Sequence, residues 1–160
     1  MSFSGEVKEE LSRQIPEARH CQIAELAAIL GLCGQVREES QGQYAIKIQT
    51  ENVYVARKYF TLLRKTFNIE AELAVRQNQK ENTYTISVNK PEQVRRVLQA
   101  SRMMPGEVND TFIHSALVQR RCCKRAYLRG AFLSSGSISD PNKFYHFEIV
   151  CPDLEKAEQI

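Results

Sequence analysis

No apolar run in the 160 residues approaches the roughly 20 residues that a helix needs to cross a bilayer. The opening MSFSGEVKEEL is charged, with Glu6, Lys8, Glu9 and Glu10, which excludes a secretory signal peptide and leads to the expectation of a cytoplasmic protein. No Gly-rich phosphate loop, Ser/His/Asp arrangement or CxxC pair is present, so the sequence motifs for nucleotide binding, triad hydrolysis and simple zinc chelation are missing. Five cysteines are an odd number for a disulfide framework, and their helical context favours reduced thiols. Net charge is scarce too: 22 basic against 19 acidic residues leave +3, so strong nucleic-acid binding is not written into the bulk composition. With 42% hydrophobic and 26% charged residues, the chain has the composition of an ordinary folded domain.

The distribution of charge is more informative than its sum. Residues 1–40 carry four bases and seven glutamates, whereas the stretch from Arg95 to Arg129 holds eight Lys/Arg against Glu107 and Asp110. Arg120, Arg121, Lys124, Arg125 and Arg129 crowd into ten residues, a cluster suited to phosphates through counterion release or to a solvated helix start.

Periodicity divides the chain into short elements. Ser4 is expected to cap a first helix ended by Pro16, and a second helix runs from about His20 to Cys33 and closes on Gly34. Gln35–Ser40 and Gln43–Thr50 read as a hairpin around Gln41–Gly42, and Asn52 caps a helix to about Phe67. Ala71, Leu73 and Val75 alternate in one strand, Tyr84, Ile86 and Val88 in another, and Pro91 opens a helix carrying Val94, Val97 and Leu98. The order is α-β-β-α-β-β-α, which implies antiparallel strand pairs with helices on one face, an α+β fold. Between Met103 and Gln119, Pro105–Gly106 marks a turn, and Asn109 or Asp110 is expected to cap a short helix with Phe112, Ile113 and Leu117.

The unit then restarts. At an offset of 102, Cys21, Ala24, Leu26 and Gly34 fall on Cys123, Ala126, Leu128 and Gly136. At 101, Tyr44, Ile46 and Ile48 fall on Tyr145, Phe147 and Ile149. The element count predicts about one and a half repeats, a second repeat cut short by roughly forty residues, and an exposed sheet edge and apolar surface as the result. The division is an N-terminal helix (1–18), a first repeat (19–102), a structured linker (103–119) and a partial second repeat (120–160). Ala24, Ala27, Ala28, Gly31 and Gly34 in one copy, and Ala126, Gly130, Ser134 and Gly136 in the other, leave helix sides almost bare. Interior glycines cost a helix about 1 kcal/mol each, so the spacing predicts a close two-fold seam between the repeated helices.

Leu26–Gly34 (LAAILGLCG) and Leu128–Gly136 (LRGAFLSSG) resemble the two LAGLIDADG motifs of homing endonucleases. More narrowly, SFSGEVKEEL, the QTEN at Gln49–Asn52 and RCCKRAYLRGAF from Arg121 resemble the WhiA family of bacterial regulators of sporulation and cell division. That resemblance implies two pseudo-symmetric α-β-β-α-β-β-α repeats, motif helices packed at the pseudo-dyad and a sheet saddle facing DNA. It also implies a helix-turn-helix domain after the LAGLIDADG part, absent from these 160 residues. Active endonucleases carry an acid just before the last motif glycine, because carboxylates hold the divalent ions that activate water. Here Cys33 and Ser135 stand at those positions, and Glu38, Glu39 and Asp140 lie beyond the motifs. The expectation is a protein with no nuclease activity.

His20, Cys21, Cys122 and Cys123 occupy matched positions of the two repeats. Neighbours on a helix point about 100° apart, so buried thiols filling the seam are expected, with neither metal nor cofactor. The outer sheet face is expected to show Lys47, Gln49 and Arg76 beside Glu70 and Glu72, a poor charge balance for DNA. DNA-contact candidates are therefore Lys47, Gln49, Arg76, Arg120, Arg121, Lys124 and Arg125. The leading expectation is a cytoplasmic, nucleoid-associated scaffold in a DNA-binding transcriptional regulator of sporulation, division and chromosome segregation, held to DNA mainly by its C-terminal domain. The alternative is a protein-interaction module of the division or transcription machinery; an active endonuclease is the third reading.

Overall fold

A computed structural model describes residues 2–105, 113–152 and 154–160. The expected cap at Asn109 or Asp110 and the apolar Phe112 lie outside them. The first helix, α1, spans Phe3–Arg13, and its cap is Ser2, not Ser4: the Ser2 hydroxyl accepts the Gly5 N–H at 3.1 Å. Ser4 is already helical and its hydroxyl instead accepts the N–H of Ile138, 134 residues away, at 3.1 Å. The helix stops at Arg13, short of Pro16.

The first repeat follows as α2 (Arg19–Cys33), β1 (Gly34–Ser40), β2 (Gln43–Thr50), α3 (Val53–Phe67), β3 (Glu72–Gln77), β4 (Asn82–Val88) and α4 (Pro91–Ala100). Gly42 turns the β1–β2 hairpin at φ 76°, a conformation that favours glycine. Asn52 caps α3 by accepting the Tyr54 N–H at 2.8 Å. The four strands form one antiparallel sheet in the order β1-β2-β4-β3. Its inner face supplies Ile46, Ile48, Ile86 and Val88 to a core with Leu26 and Leu30 of α2, Tyr59 and Leu62 of α3, and Val94 and Leu98 of α4. As an edge strand, β3 is poorly covered: Leu73 and Val75, expected to be buried, are 53% and 48% exposed. Glu70 and Ala71 precede the strand.

The second repeat comprises α5 (Arg121–Ser135), β5 (Gly136–Ile138), β6 (Phe147–Ile149) and α6 (Leu154–Gln159), preceded by a 3-10 turn at Ser115–Val118. Gly136 pairs with Ile149 and Ile138 with Phe147, the counterparts of Gly34–Ile48 and Val36–Ile46 in the first hairpin. The second hairpin is shorter than its alternating pattern predicts. Tyr145 lies outside the strand and is 91% exposed, because residues 139–146 bond among themselves, Ser139 N–H to the His146 carbonyl and Lys143 N–H to that of Asp140. Phe144, Phe147 and Val150 are also largely exposed, giving this end an apolar surface.

The core contains an orphaned polar group. Tyr59 is fully buried and its hydroxyl has no hydrogen-bond partner among the described residues. A buried unsatisfied hydroxyl costs about 1–3 kcal/mol, so Tyr59→Phe is expected to raise stability by about 1 kcal/mol in urea denaturation. Burial pushes the Tyr59 phenol up from its ordinary 10.0, so the native state keeps a proton that the unfolded chain releases. The wild type therefore loses stability relative to Tyr59→Phe as pH rises past about 10, and the gap between the two curves should widen there.

Candidate functional site

The seam between α2 and α5 organises the possible functional groups. The two helices touch in the same chain direction, His20 against Cys123 at the start and Cys33 against Ser134 at the end. Midway, a Cβ on Gly130 would lie 2.5 Å from the Glu25 carbonyl oxygen and 3.0 Å from the Ala28 Cβ, so only glycine permits this approach. Ala24, Ala27, Ala28, Ala126 and Ala131 fill the rest of the contact, and the Ser134 hydroxyl folds back onto the Gly130 carbonyl at 2.9 Å. Gly31 is half-buried in the last turn of α2. Gly34 and Gly136, expected in the seam, act differently. Both are extended rather than left-handed, and an added Cβ would first strike Leu30 or Phe132 of their own helices, at 2.3 Å in each case. They allow the sharp exit from helix to strand.

Beside this contact lies a buried charge cluster. Glu25 and Lys58 are both fully buried and meet at 2.8 Å, while Arg129 reaches the Glu25 carboxylate through Nε at 3.2 Å and Nη2 at 3.3 Å. The Lys58 ammonium also donates to the Gln14 carbonyl. Burial pulls Lys58 below its usual range, against the attraction of Glu25. Sequence reading missed this group; the available signal was a lone acid within the otherwise apolar IAELAAIL.

At the C-terminal end of the seam, Cys33 is half-buried, and its thiol lies 3.8 Å from the Ser134 carbonyl. Burial pushes this thiol up, partly offset by Ser134 and the Lys8 ammonium. The Ser135 hydroxyl is buried with no hydrogen-bond partner among the described residues. A neutral thiol and a hydroxyl are poor ligands for a hard divalent cation.

The outer face of the four-stranded sheet follows from its register. Gln35, Lys47, Ser87 and Glu72 form one row, Gln49, Thr85 and Ala74 the next, and Arg76 sits opposite Thr83. Arg37, unremarked in the sequence, joins this face opposite Ala45, but pairs with Glu39 at 3.9 Å. A shallow groove of about 170 Å³ between Gln35, Arg37, Glu39, Lys47 and Ser87 mixes both signs. Toward the other end of the sheet, past the Thr50–Tyr84 pair, Glu81 pushes the Glu51 carboxyl up, marking two carboxylates in contact. The remaining candidates are elsewhere. Arg120, Arg121, Lys124 and Arg125 are exposed at the N-terminal end of α5, and its 15 residues span roughly 22 Å, so the structure does not unite them with Lys47, Gln49 and Arg76.

That N-terminal end holds a second feature. His20, Cys21, Cys122 and Cys123 bring one ligand atom each to within 4.8 Å of one another, the one cluster of three or more such side chains among the described residues able to hold a metal. His20 Nδ1 is 3.1 Å from the Cys123 sulfur and 3.4 Å from that of Cys21. The expectation that adjacent helical residues diverge too far is overturned. It treated each helix alone, and the close crossing turns two diverging pairs towards a common point. Burial, then Cys122 and Cys123, push the Cys21 thiol up, whereas the hydrogen bond from Cys21 pulls Cys122 down.

Comparison with known proteins bears on this arrangement. The family model described as the WhiA N-terminal LAGLIDADG-like domain matches residues 19–104, and that of the WhiA LAGLIDADG-like domain matches residues 124–160. A protein of Lachnoclostridium phytofermentans named probable cell division protein WhiA is 48% identical, covering 100% of this chain and 53% of the relative. A protein of the same name from Lachnospira eligens is 41% identical, covering 99% and 51%. The chain thus spans about half the length of the curated relatives it matches. A crystal structure of the N-terminal LAGLIDADG domain of WhiA superposes with a TM-score of 0.68 at 25% identity, over 98% of this chain and 70% of that one. No helix among the described residues is long and apolar enough to cross a membrane.

Two substitutions test the seam. Gly130→Ala, which in an ordinary helix gains about 1 kcal/mol, should here lose about 1–3 kcal/mol in urea denaturation, because the backbones must separate. Glu25→Gln strands the buried Lys58 and should cost about 3–5 kcal/mol; adding Lys58→Met should recover much of that loss.

Proposed function

The chain belongs to the WhiA family, and from that premise we propose that it forms the non-catalytic LAGLIDADG-like scaffold of a bacterial DNA-binding regulator acting in cell division. The relatives named as probable cell division proteins supply the process. Sporulation and chromosome segregation belong to the same reading through the family. Residues 19–102 and 120–160 act as two repeats about one pseudo-dyad, joined by 103–119.

The observation that carries the non-catalytic reading is chemical. In LAGLIDADG endonucleases, a carboxylate at the end of each motif helix holds the ions that activate water at the scissile phosphate. In this chain the same positions offer the Cys33 thiol and the Ser135 hydroxyl. Neither supplies the hard anionic oxygen that magnesium requires.

The sheet face supports a weak, orienting role on DNA. Three bases, Arg37, Lys47 and Arg76, share it with Glu39 and Glu72, and Arg37 is already paired. Each phosphate neutralised contributes about 0.9 to the slope of log K against log salt, so this face supports a slope of about 3 at most. The main affinity then comes from a helix-turn-helix domain in the longer protein.

The test uses the 160-residue chain on duplex DNA with magnesium. No cleavage is expected, and binding should be weak, with a salt slope of about 3 or less that falls further in Lys47→Ala/Arg76→Ala. Magnesium-dependent cutting by this chain would falsify the non-catalytic reading. A slope unchanged by the double variant would move the contact to the Arg120–Arg125 cluster, and no binding at any salt would favour a protein-interaction module.

A further inference from the structure

We propose that His20, Cys21, Cys122 and Cys123 form a structural zinc site that clips together the N-terminal ends of α2 and α5. The donors are one imidazole and three thiols, a closed set typical of structural zinc. Zinc–sulfur bonds of about 2.3 Å in a tetrahedron place sulfurs about 3.8 Å apart, with nitrogen–sulfur separations slightly shorter. The four ligand atoms lie within 4.8 Å of one another, and His20 Nδ1 stands 3.1 Å and 3.4 Å from two of the sulfurs, so closure around an ion needs only small side-chain adjustments.

The helix ends favour negative charge at the ligands. Both pairs sit in the first turn of their helices, where unpaired backbone N–H groups and the helix dipole favour negative charge. Neither helix has an acid in its first turn, so no carboxylate competes there for the ion. Three thiolates around one zinc leave a net charge of −1, and Arg19, Arg120, Arg121 and Lys124 supply compensating charge in the flanking sequence. Soft sulfur donors select zinc over magnesium or calcium. His20 and Cys122 are exposed, giving the ion an entry path, while Cys21 and Cys123 are buried against the seam. All five cysteines are free thiols, so no disulfide occupies the place.

The site lies at the opposite end of the seam from Cys33 and Ser135, where the endonucleases keep their catalytic ions. Four protein ligands fill a tetrahedral ion and leave no open position for a substrate or water, so its role is mechanical. Each repeat contributes two adjacent ligands at matched positions, and the ion can close only when the two helices are packed in register. Zinc binding and assembly of the pseudo-dyad are then one equilibrium.

The experiment measures metal on the reduced chain purified without chelator. Mass spectrometry should find one zinc per chain. After stripping, cobalt should give the intense visible absorption of a tetrahedral thiolate complex, saturating at one ion per chain and displaced by zinc, and zinc should raise Tm. Cys122→Ser and His20→Ala, both at exposed positions, should abolish the cobalt spectrum, while Cys33→Ser and Cys151→Ser should keep it. The proposal fails if the reduced wild-type chain gives no tetrahedral cobalt spectrum at saturating cobalt. It also fails if binding survives Cys122→Ser unchanged, or if Cys21 pairs with Cys122 or Cys123 as a disulfide under a cytosolic glutathione poise with zinc present.

Discussion

The approach of two helix backbones at Gly130 is the constraint from which the rest of the molecule follows. With the Glu25 carbonyl where a side chain would begin, α2 and α5 are separated by little more than their main chains. That proximity brings Arg129 to the Glu25 carboxylate, gathers four metal-binding side chains at one end and sets Cys33 against Ser134 at the other. It also fixes the relation of the two hairpins, since each strand begins at the residue following its helix. Alanine packing alone does not demand such a separation. The glycine is required because a backbone oxygen, which has no rotamer to change, occupies the space.

Much of this was legible in the sequence, for identifiable reasons. The first repeat could be read almost element by element, since Ile46 and Ile48 alternate with polar residues while Val55, Tyr59, Leu62 and Leu63 follow a helical period. The small residues of the two motif helices announced a close seam because they recur at matched positions. What escaped depended on the angle and depth of packing. A glutamate in a helix reads as a surface residue, and only the crossing shows that Glu25 and Lys58 are sealed inside together. The convergence of His20, Cys21, Cys122 and Cys123 escaped for the same reason, because a helical wheel contains one helix. Local ambiguity explains the rest: Ser2 and Ser4 both suit a cap, and Ser4 was claimed by a strand far along the chain.

The two ends of the seam differ chemically. At the C-terminal end lie the half-buried Cys33 thiol and the Ser135 hydroxyl, which has no hydrogen-bond partner among the described residues, so neither adds charge at the junction with the sheet. At the N-terminal end, soft ligands and basic residues concentrate instead. The low net charge of the whole chain is a sum over these contrasting regions, and it conceals a basic pole separated from a nearly neutral sheet face by the length of a helix.

The pairing of Glu25 with Arg129 spans 104 residues of sequence. A ribosome adding roughly 5–20 residues per second needs about 5–20 s to make the second partner after the first. Throughout that interval the alanine face of α2 has no α5 to cover it, and the Glu25 carboxylate lacks Arg129. The N-terminal helix waits longer still, since Ser4 finds its strand partner at Ile138. The first repeat therefore emerges from synthesis with its alanine face open, and its completion is timed by the arrival of RCCKRAYLRGAF.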